Sequence, residues 1–106
     1  MNKYNIRITT TAEKDMKEIY NYIAKKLSSP QNAKDQYDRI AKAILSLQFF
    51  PRRYVLFDVE PEHSYGLRKM VIDNYLVCYI VDEKNVVITD VIYGASNVHS
   101  KLTNRH

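Results

Sequence analysis

The chain has 106 residues, 16 Lys and Arg against 12 Asp and Glu, and a formal net charge of +4 at pH 7. This length suits one domain with its own hydrophobic core and excludes a two-domain enzyme. The only two glycines, Gly66 and Gly94, exclude a glycine-rich phosphate-binding loop, because such a loop needs several glycines within a few residues. The single Cys78 excludes an internal disulfide, and without a signal peptide or a long apolar run the expected location is the cytoplasm.

The first predicted elements are a strand and a helix. Tyr4, Ile6 and Ile8 alternate with polar residues, the period of two that is typical of a strand with one buried face. Thr10 stands three residues before Glu13, which is the spacing of a capping box, so we expect a helix to begin there. Apolar residues then recur at steps of four and three, as on one face of a helix. These residues are Ala12, Met16, Ile19, Ile23 and Leu27.

A second helix is expected after a break at residues 28–30. Pro30 suits the first turn of a helix, where its missing N–H has no partner to lose, and Ser29 can cap that helix. The same apolar spacing continues to Phe50-Pro51, where the proline ends the helix. The apolar positions are Ala33, Tyr37, Ile40, Ile44 and Leu47. We expect the two helices to form an antiparallel hairpin.

The second half of the chain is predicted to be mainly strands. Residues 51–64 are irregular and are interpreted as a long loop with a short strand in it. Runs rich in Val, Ile and Tyr at 67–72, 75–81 and 86–93 are separated by two short polar turns, which predicts an antiparallel meander. The order β-α-α-β-β-β predicts an α+β fold in which a helical hairpin packs on a twisted, mainly antiparallel sheet. The other face of that sheet is left to water or a partner. We assign residues 1–97 to this single domain and residues 98–106 to a polar C-terminal tail.

Several short motifs stand in a fixed order along these elements. They are Ile8-Thr9-Thr10, Glu18-Ile19, Phe50-Pro51, Gly66-Leu67-Arg68-Lys69, Asn74-Tyr75-Leu76-Val77-Cys78-Tyr79 and Val91-Ile92-Tyr93-Gly94. In this order, over residues 4–97, the chain resembles the RelE/ParE toxins of bacterial type II toxin–antitoxin systems. The resemblance implies a growth-inhibiting toxin that a cognate antitoxin protein neutralises.

The resemblance leaves the target of the toxin open, because one fold can host different activities. RelE-like members cleave messenger RNA on the ribosome, and this metal-independent endonuclease is our first hypothesis. ParE-like members inhibit DNA gyrase without an enzymatic activity of their own. A degenerate member that binds its antitoxin without strong toxicity is the third alternative.

Cleavage of RNA without a metal needs a base, an acid and fixed positive charge near the phosphate. Arg68 is the expected phosphate clamp, because it matches the basic strand of the family and its guanidinium has the planar fork that grips phosphate. Tyr75, Tyr79 and Tyr93 are the expected catalytic partners, as positioning or proton-transfer groups. A tyrosine with a pKa of ~10 is a poor base at neutral pH unless its surroundings shift that pKa. A half-buried aromatic ladder is the alternative interpretation of these tyrosines.

Two positions depart from the pattern of the RelE-like members, which carry arginine or another basic residue there. They hold Leu76 and Ser96, and this departure favours the gyrase alternative. The residues expected to bind nucleic acid or another target are basic and would gather with Arg68 around the sheet. They are Arg7, Arg52, Arg53 and Lys69. We expect no cofactor and no membrane partner, and no metal, because three scattered histidines and one cysteine lack the spacing of ligands.

Overall fold

The computed structural model describes residues 3–94 and 101–102. In chain order the elements are β1 (Asn5–Ile8), α1 (Thr10–Asn21), α2 (Pro30–Ser46), β2 (Leu67–Ile72), β3 (Tyr75–Asp82) and β4 (Asn85–Tyr93). A π-helical stretch, Tyr22–Lys26, extends α1, and a 3₁₀ turn, Pro51–Arg53, follows α2. The predicted α+β fold and its element order are confirmed. Among the described residues, no helix is both long and apolar enough to cross a bilayer.

The four strands form one mixed sheet in the order β1-β4-β3-β2. β1 runs parallel to β4, and the other two pairs are antiparallel. Between β3 and β4 the register shifts, because Cys78 pairs with Asp90 and Tyr79 pairs with Ile88. Thr89 is therefore the extra residue of a bulge, and its hydroxyl donates a 3.2 Å hydrogen bond to the Cys78 carbonyl.

The helices cover one face of the sheet and form the main core there. Ala12 and Met16 of α1 and Ile40 and Ile44 of α2 are buried against this face. The strand residues of the same cluster are Met70, Val77, Tyr79, Val86, Ile88 and Val91. Full burial of one such large apolar side chain stabilises the fold by about 1.5–3 kcal/mol.

The start of α1 differs by one residue from the prediction. The capping residue is Thr9, whose hydroxyl accepts a 3.1 Å hydrogen bond from the backbone N–H of Ala12. The same hydroxyl donates to the Thr89 carbonyl at 3.1 Å. Because this second bond ties the helix end to the β4 bulge, the tertiary contact selects Thr9 over the neighbouring Thr10. The predicted start of α2 at Pro30 is observed, although the Ser29 side chain makes no capping bond.

One predicted position on the apolar face of the first helix is wrong. Leu27 is 57% exposed, whereas Ile23 is buried. The π-helical stretch, Tyr22–Lys26, includes Ile23 and ends just before Leu27; it is wider than an α-helical turn and shifts the phase of the residues that follow it. The 3.6-residue period therefore fails at the end of α1.

The other face of the sheet carries a second apolar cluster rather than lying open to water. Phe57, Leu67, Leu76, Cys78, Ile92 and Leu102 are buried there. In place of the predicted short strand within 51–64, Leu56 forms an isolated bridge with Arg68, and the next residues fold back as turns. Leu102 belongs to the predicted polar tail yet is only 1% exposed. The predicted boundary between residues 97 and 98 lies outside the described residues, so the division into domain and tail stays a prediction.

Candidate functional site

Arg68 and Tyr79 are cross-strand neighbours on the side of the sheet that faces the helices. They pair directly between β2 and β3. The Tyr79 hydroxyl donates a 2.6 Å hydrogen bond to the Pro51 carbonyl, and Arg68 Nη1 donates to the Tyr54 carbonyl at 2.7 Å and the Arg52 carbonyl at 3.3 Å. Both side chains therefore hold the stretch of backbone that follows α2.

Tyr79 is a hydrogen-bond donor rather than a base at neutral pH. Its side chain is 0% exposed. Burial raises the pKa of Tyr79 to about 12, against the opposing effect of the positive charges of Arg68 and Arg53. A phenol with this pKa stays protonated at neutral pH and cannot take a proton from a ribose hydroxyl.

The backbone that these side chains hold is residues 49–55, which we call the 49–55 turn. Arg53 Nη1 donates to the carbonyls of Phe49 and Phe50, and its Nη2 donates to the Ser46 hydroxyl at 3.1 Å. This places the Arg53 charge at the carboxyl end of α2, where the free carbonyls carry partial negative charge. The carbonyls of residues 49, 50, 51, 52 and 54 thus each accept a hydrogen bond from an arginine or tyrosine side chain. The 49–55 turn is a rigid element.

Arg52, in contrast, points to the surface beside Tyr4 and Lys84. Arg52 Nη1 donates to the Tyr4 hydroxyl at 3.1 Å, and the Lys84 Nζ lies 5.7 Å from the centre of the Tyr4 ring. The Tyr4 N–H also donates to the Gln48 carbonyl at 2.9 Å, which keeps this ring beside the 49–55 turn. Sequence reasoning missed the contribution of Tyr4 and Lys84, because they lie far apart in the sequence and no motif links them.

Tyr75, the first residue of β3, pairs with Tyr93, the last residue of β4, away from Tyr79 in the middle of β3. Their rings pack edge to face with centroids 5.8 Å apart. Burial raises the pKa of Tyr75, and the neighbouring Tyr93 raises it further. Tyr79 lies four positions after Tyr75 on β3, a distance of about 13 Å along the strand. The four residues predicted as catalytic therefore form two separate pairs.

The Tyr75–Tyr93 pair lines a cleft of about 760 Å³ between the helices and the end of the sheet. Asp15, Glu18 and Lys101 line the same cleft. Asp15 is buried, and its Oδ2 accepts a 2.9 Å hydrogen bond from the Val91 N–H. Two carboxylates against one ammonium group give the cleft a negative balance, which disfavours a phosphate backbone.

The basic residues predicted to bind a target converge only in part. Arg52 and Arg53 lie with Arg68 at the 49–55 turn. Arg7 faces the other side of the sheet, where its Nε donates to Asn85 Oδ1 at 3.1 Å. Lys69 also lies on that side, with its Nζ 5.2 Å from the centre of the Phe57 ring.

The cations at the 49–55 turn have no carboxylate within salt-bridge distance in the described part of the chain. The ion pairs found there are Lys34–Asp38 on α2 and Arg39–Asp73, both away from the turn. The described residues also hold no cluster of three or more histidine, cysteine or acidic side chains that suits a metal ion. Ser96, the second departure from the RelE-like pattern, lies outside the described residues.

Because the described residues place no carboxylate within salt-bridge distance of these cations, positive charge is the main electrostatic property of the 49–55 turn.

Comparisons with known proteins are consistent with this fold. A family model described as the ParE toxin of the type II toxin–antitoxin system parDE matches residues 6–98. The chain is similar in structure to a chromosomal ParDE toxin–antitoxin system from P. aeruginosa, at 19% identity and a TM-score of 0.73, covering 88% of this chain and 98% of that one. It is also similar to the RelBE2 toxin–antitoxin complex from Mycobacterium tuberculosis, at 21% identity and a TM-score of 0.63, covering 86% of this chain and 98% of that one.

A third similar structure is the YoeB dimer from Staphylococcus aureus, at 18% identity and a TM-score of 0.58, covering 86% of this chain and 97% of that one. At these identities the likeness concerns the fold alone. The search of curated proteins found no match.

Proposed function

The chain belongs to the ParE toxin family of type II toxin–antitoxin systems, and from this premise we propose that it inhibits growth by binding DNA gyrase rather than by cleaving RNA. Inhibition of this kind needs a recognition surface and no catalytic base. The proposal therefore reverses the order of the first two of our three hypotheses from the sequence.

The observation that carries the proposal is the structural role of Arg68 and Tyr79. The Arg68 Nη1 donates to two carbonyls of the 49–55 turn, and the buried Tyr79 hydroxyl donates to a third. A clamp and a proton-transfer group must reach the reacting phosphate within hydrogen-bond distance. A wholly buried phenol does not meet this requirement.

Leu76 supports the same proposal. It stands where RelE-like relatives carry arginine, and it is buried in the apolar cluster on the face away from the helices. The leucine therefore serves as a core residue of β3 and supplies no charge to a phosphate.

Ribosome-dependent mRNA cleavage is the second candidate function, and one observation favours it. Tyr93 is half-exposed beside Tyr75, and Lys101 lines the same cleft. In this alternative the Tyr93 hydroxyl and the Lys101 ammonium group act on RNA against the opposing charge of Asp15 and Glu18 in the cleft, and Arg68 takes no part. Tyr93→Phe would then abolish cleavage while leaving the fold intact.

We also propose that a cognate antitoxin protein binds this chain. The similar structures from P. aeruginosa and M. tuberculosis are a toxin–antitoxin system and a toxin–antitoxin complex. Co-expression of the chain with the product of a neighbouring small reading frame should restore growth, and co-purification of the two proteins is the direct check.

Two assays with the purified chain separate the two functions. In the first, DNA supercoiling by purified gyrase is followed as the toxin concentration rises. In the second, ribosomes translating a defined message are incubated with the toxin, and cuts are mapped by primer extension. We expect loss of supercoiling and no cuts. Cuts on the ribosome with unchanged supercoiling would replace the proposal with the nuclease alternative.

A further inference from the structure

We infer that the 49–55 turn is the element with which this toxin recognises its protein target, and that Phe50 enters an apolar pocket with an acidic rim on that target. The inference rests on the proposed function, inhibition by protein binding. It names the part of the surface that makes the contact and the chemistry of the partner.

The first observation is the backbone conformation at Phe50. This residue has a φ of 50° and a ψ of 54°, in the left-handed region that a bulky side chain rarely adopts. Such a conformation persists only where the surroundings impose it. Here the side chains of Arg53, Tyr79 and Arg68 impose it through the carbonyls of the turn.

The second observation is what the turn exposes. Phe50 is 67% exposed and Val55 is 64% exposed, whereas Pro51 between them is buried. Large apolar groups on a rigid element lose little conformational entropy when a partner covers them, so they favour binding. The core of the fold explains neither of these two exposed side chains.

The third observation is charge. Arg52 and Arg53 belong to the same turn, and Lys84 lies nearby across the Tyr4 ring. In the described residues, none of these cations is within salt-bridge distance of a carboxylate. A partner surface with acidic groups would therefore complement them. Asp82, the last residue of β3, and Glu83 are the acidic residues closest to Lys84 in sequence, and in the described residues neither lies within salt-bridge distance of it.

The combination favours a protein over a nucleic acid. Buried aromatic residues and arginines dominate the binding energy of protein interfaces. The aliphatic Val55 offers nothing to a phosphate backbone and no ring for a base to stack on, whereas it suits an apolar pocket.

Two substitutions in the turn and two matched controls test the inference. Phe50→Asn removes the ring, and asparagine tolerates a positive φ, so the fold is kept. Arg52→Gln removes an exposed charge. The controls are Val71→Ala, which trims an apolar side chain that is 66% exposed on β2, and Lys17→Gln, which removes an exposed charge on α1. Phe50→Gly is a second variant at the same position, for the case that the asparagine variant fails to fold.

The measurement is the toxin concentration that halves supercoiling by purified gyrase, together with growth inhibition in cells. We expect Phe50→Asn and Arg52→Gln to raise that concentration by about tenfold or more, and the controls to change it by less than about twofold. If the wild-type chain inhibits gyrase and the turn variants inhibit it equally well, the inference is overturned and the proposed function stands.

If the wild-type chain leaves gyrase active, the proposed function fails. Growth inhibition by the variants then tests whether the 49–55 turn recognises some other target. Loss of growth inhibition in the turn variants alone would still support recognition through the turn. Unchanged growth inhibition would overturn it. Binding of a labelled single-stranded oligonucleotide that Phe50→Asn abolishes would also overturn the inference, because the partner would then be a nucleic acid.

Discussion

The Tyr79 hydroxyl donates a 2.6 Å hydrogen bond to the Pro51 carbonyl and so joins the middle of β3 to the first residue of the 3₁₀ turn after α2. Both residues are buried. This bond gives the tyrosine at this position of the strand a structural role. It also makes the conformation of the 49–55 turn depend on the core of the domain.

Replacement of Tyr79 by phenylalanine should destabilise the domain. The variant keeps the ring in the core and removes the donor to the buried Pro51 carbonyl, which costs about 1–2 kcal/mol. The free energy of unfolding from urea titration checks this. Tyr65→Phe is the matched control, because the Tyr65 ring is exposed and that change should be nearly neutral. Equal stability of both variants would show that the bond to Pro51 contributes nothing.

The stability of the domain should fall at alkaline pH. Burial raises the pKa of Tyr79 to about 12, above its value of ~10 in the unfolded chain. Below pH ~10 the phenol is protonated in both states, and its contribution to the free energy of unfolding is fully present. As the pH rises from ~10 through the pKa of Tyr79 in the folded state, this contribution, up to about 2–3 kcal/mol, is lost. Unfolding at a series of pH values should show a smaller loss between pH ~10 and ~12 in Tyr79→Phe than in the wild type. Parallel curves for the two proteins would contradict the raised pKa.

The fold was predictable because its signals are local. Periods of two and of three to four residues placed β1, both helices and the meander, and Pro30 marked the start of α2. The predictions were wrong where a contact with a distant residue determines the local structure. Thr9 rather than Thr10 caps α1, because the Thr9 hydroxyl also donates a hydrogen bond to the Thr89 carbonyl. At Leu27, a π-helical stretch changed the period itself.

The site was less predictable, because burial and convergence depend on tertiary packing. No local pattern indicates that the Arg68 guanidinium bonds to the carbonyls of residues 52 and 54. From the sequence, the structural interpretation of the Phe50-Pro51 motif is a helix end. Its exposed ring and its positive φ follow from hydrogen bonds whose donors lie on β2 and β3 as well as on the turn itself.

Substitutions at Phe50 should separate backbone strain from side-chain packing. The φ of 50° costs a bulky residue about 1–3 kcal/mol. Asparagine relieves part of this cost and the exposed ring packs little, so Phe50→Asn should leave the melting temperature unchanged or raise it. Phe50→Val should lower it, because a β-branched residue tolerates a positive φ poorly. A melting temperature of Phe50→Asn below that of the wild type would mean that the ring stabilises the fold.

Asp15 should be needed for the fold rather than for the activity. Its buried carboxylate accepts a hydrogen bond from the Val91 N–H and so ties α1 to β4. Asp15→Ala leaves that donor unpaired, and a hydrogen bond to a charged group is worth about 1.5–3 kcal/mol. Glu18→Ala, on the exposed side of the same helix, is the control, with an expected change within about 0.5 kcal/mol. Chemical denaturation of the three proteins measures both changes. Asp15→Ala with wild-type stability and no growth inhibition would instead assign Asp15 to the site.

The last prediction distinguishes a positioning role of Arg68 from direct contact with the target. If Arg68 acts only by holding the 49–55 turn, Arg68→Ala should weaken inhibition of gyrase in the wild-type background and have little further effect once Phe50→Asn has removed the ring. The two free-energy changes would then be far from additive, as expected for residues that act through one element. If Arg68 instead touches the target itself, Arg68→Ala would weaken inhibition by the same factor in both backgrounds. The free-energy changes of the double-mutant cycle are calculated from the half-inhibiting concentrations. The assays are run well below the melting temperature of every variant, so that unfolding does not contribute to the measured loss of inhibition. Additive effects would contradict the positioning role.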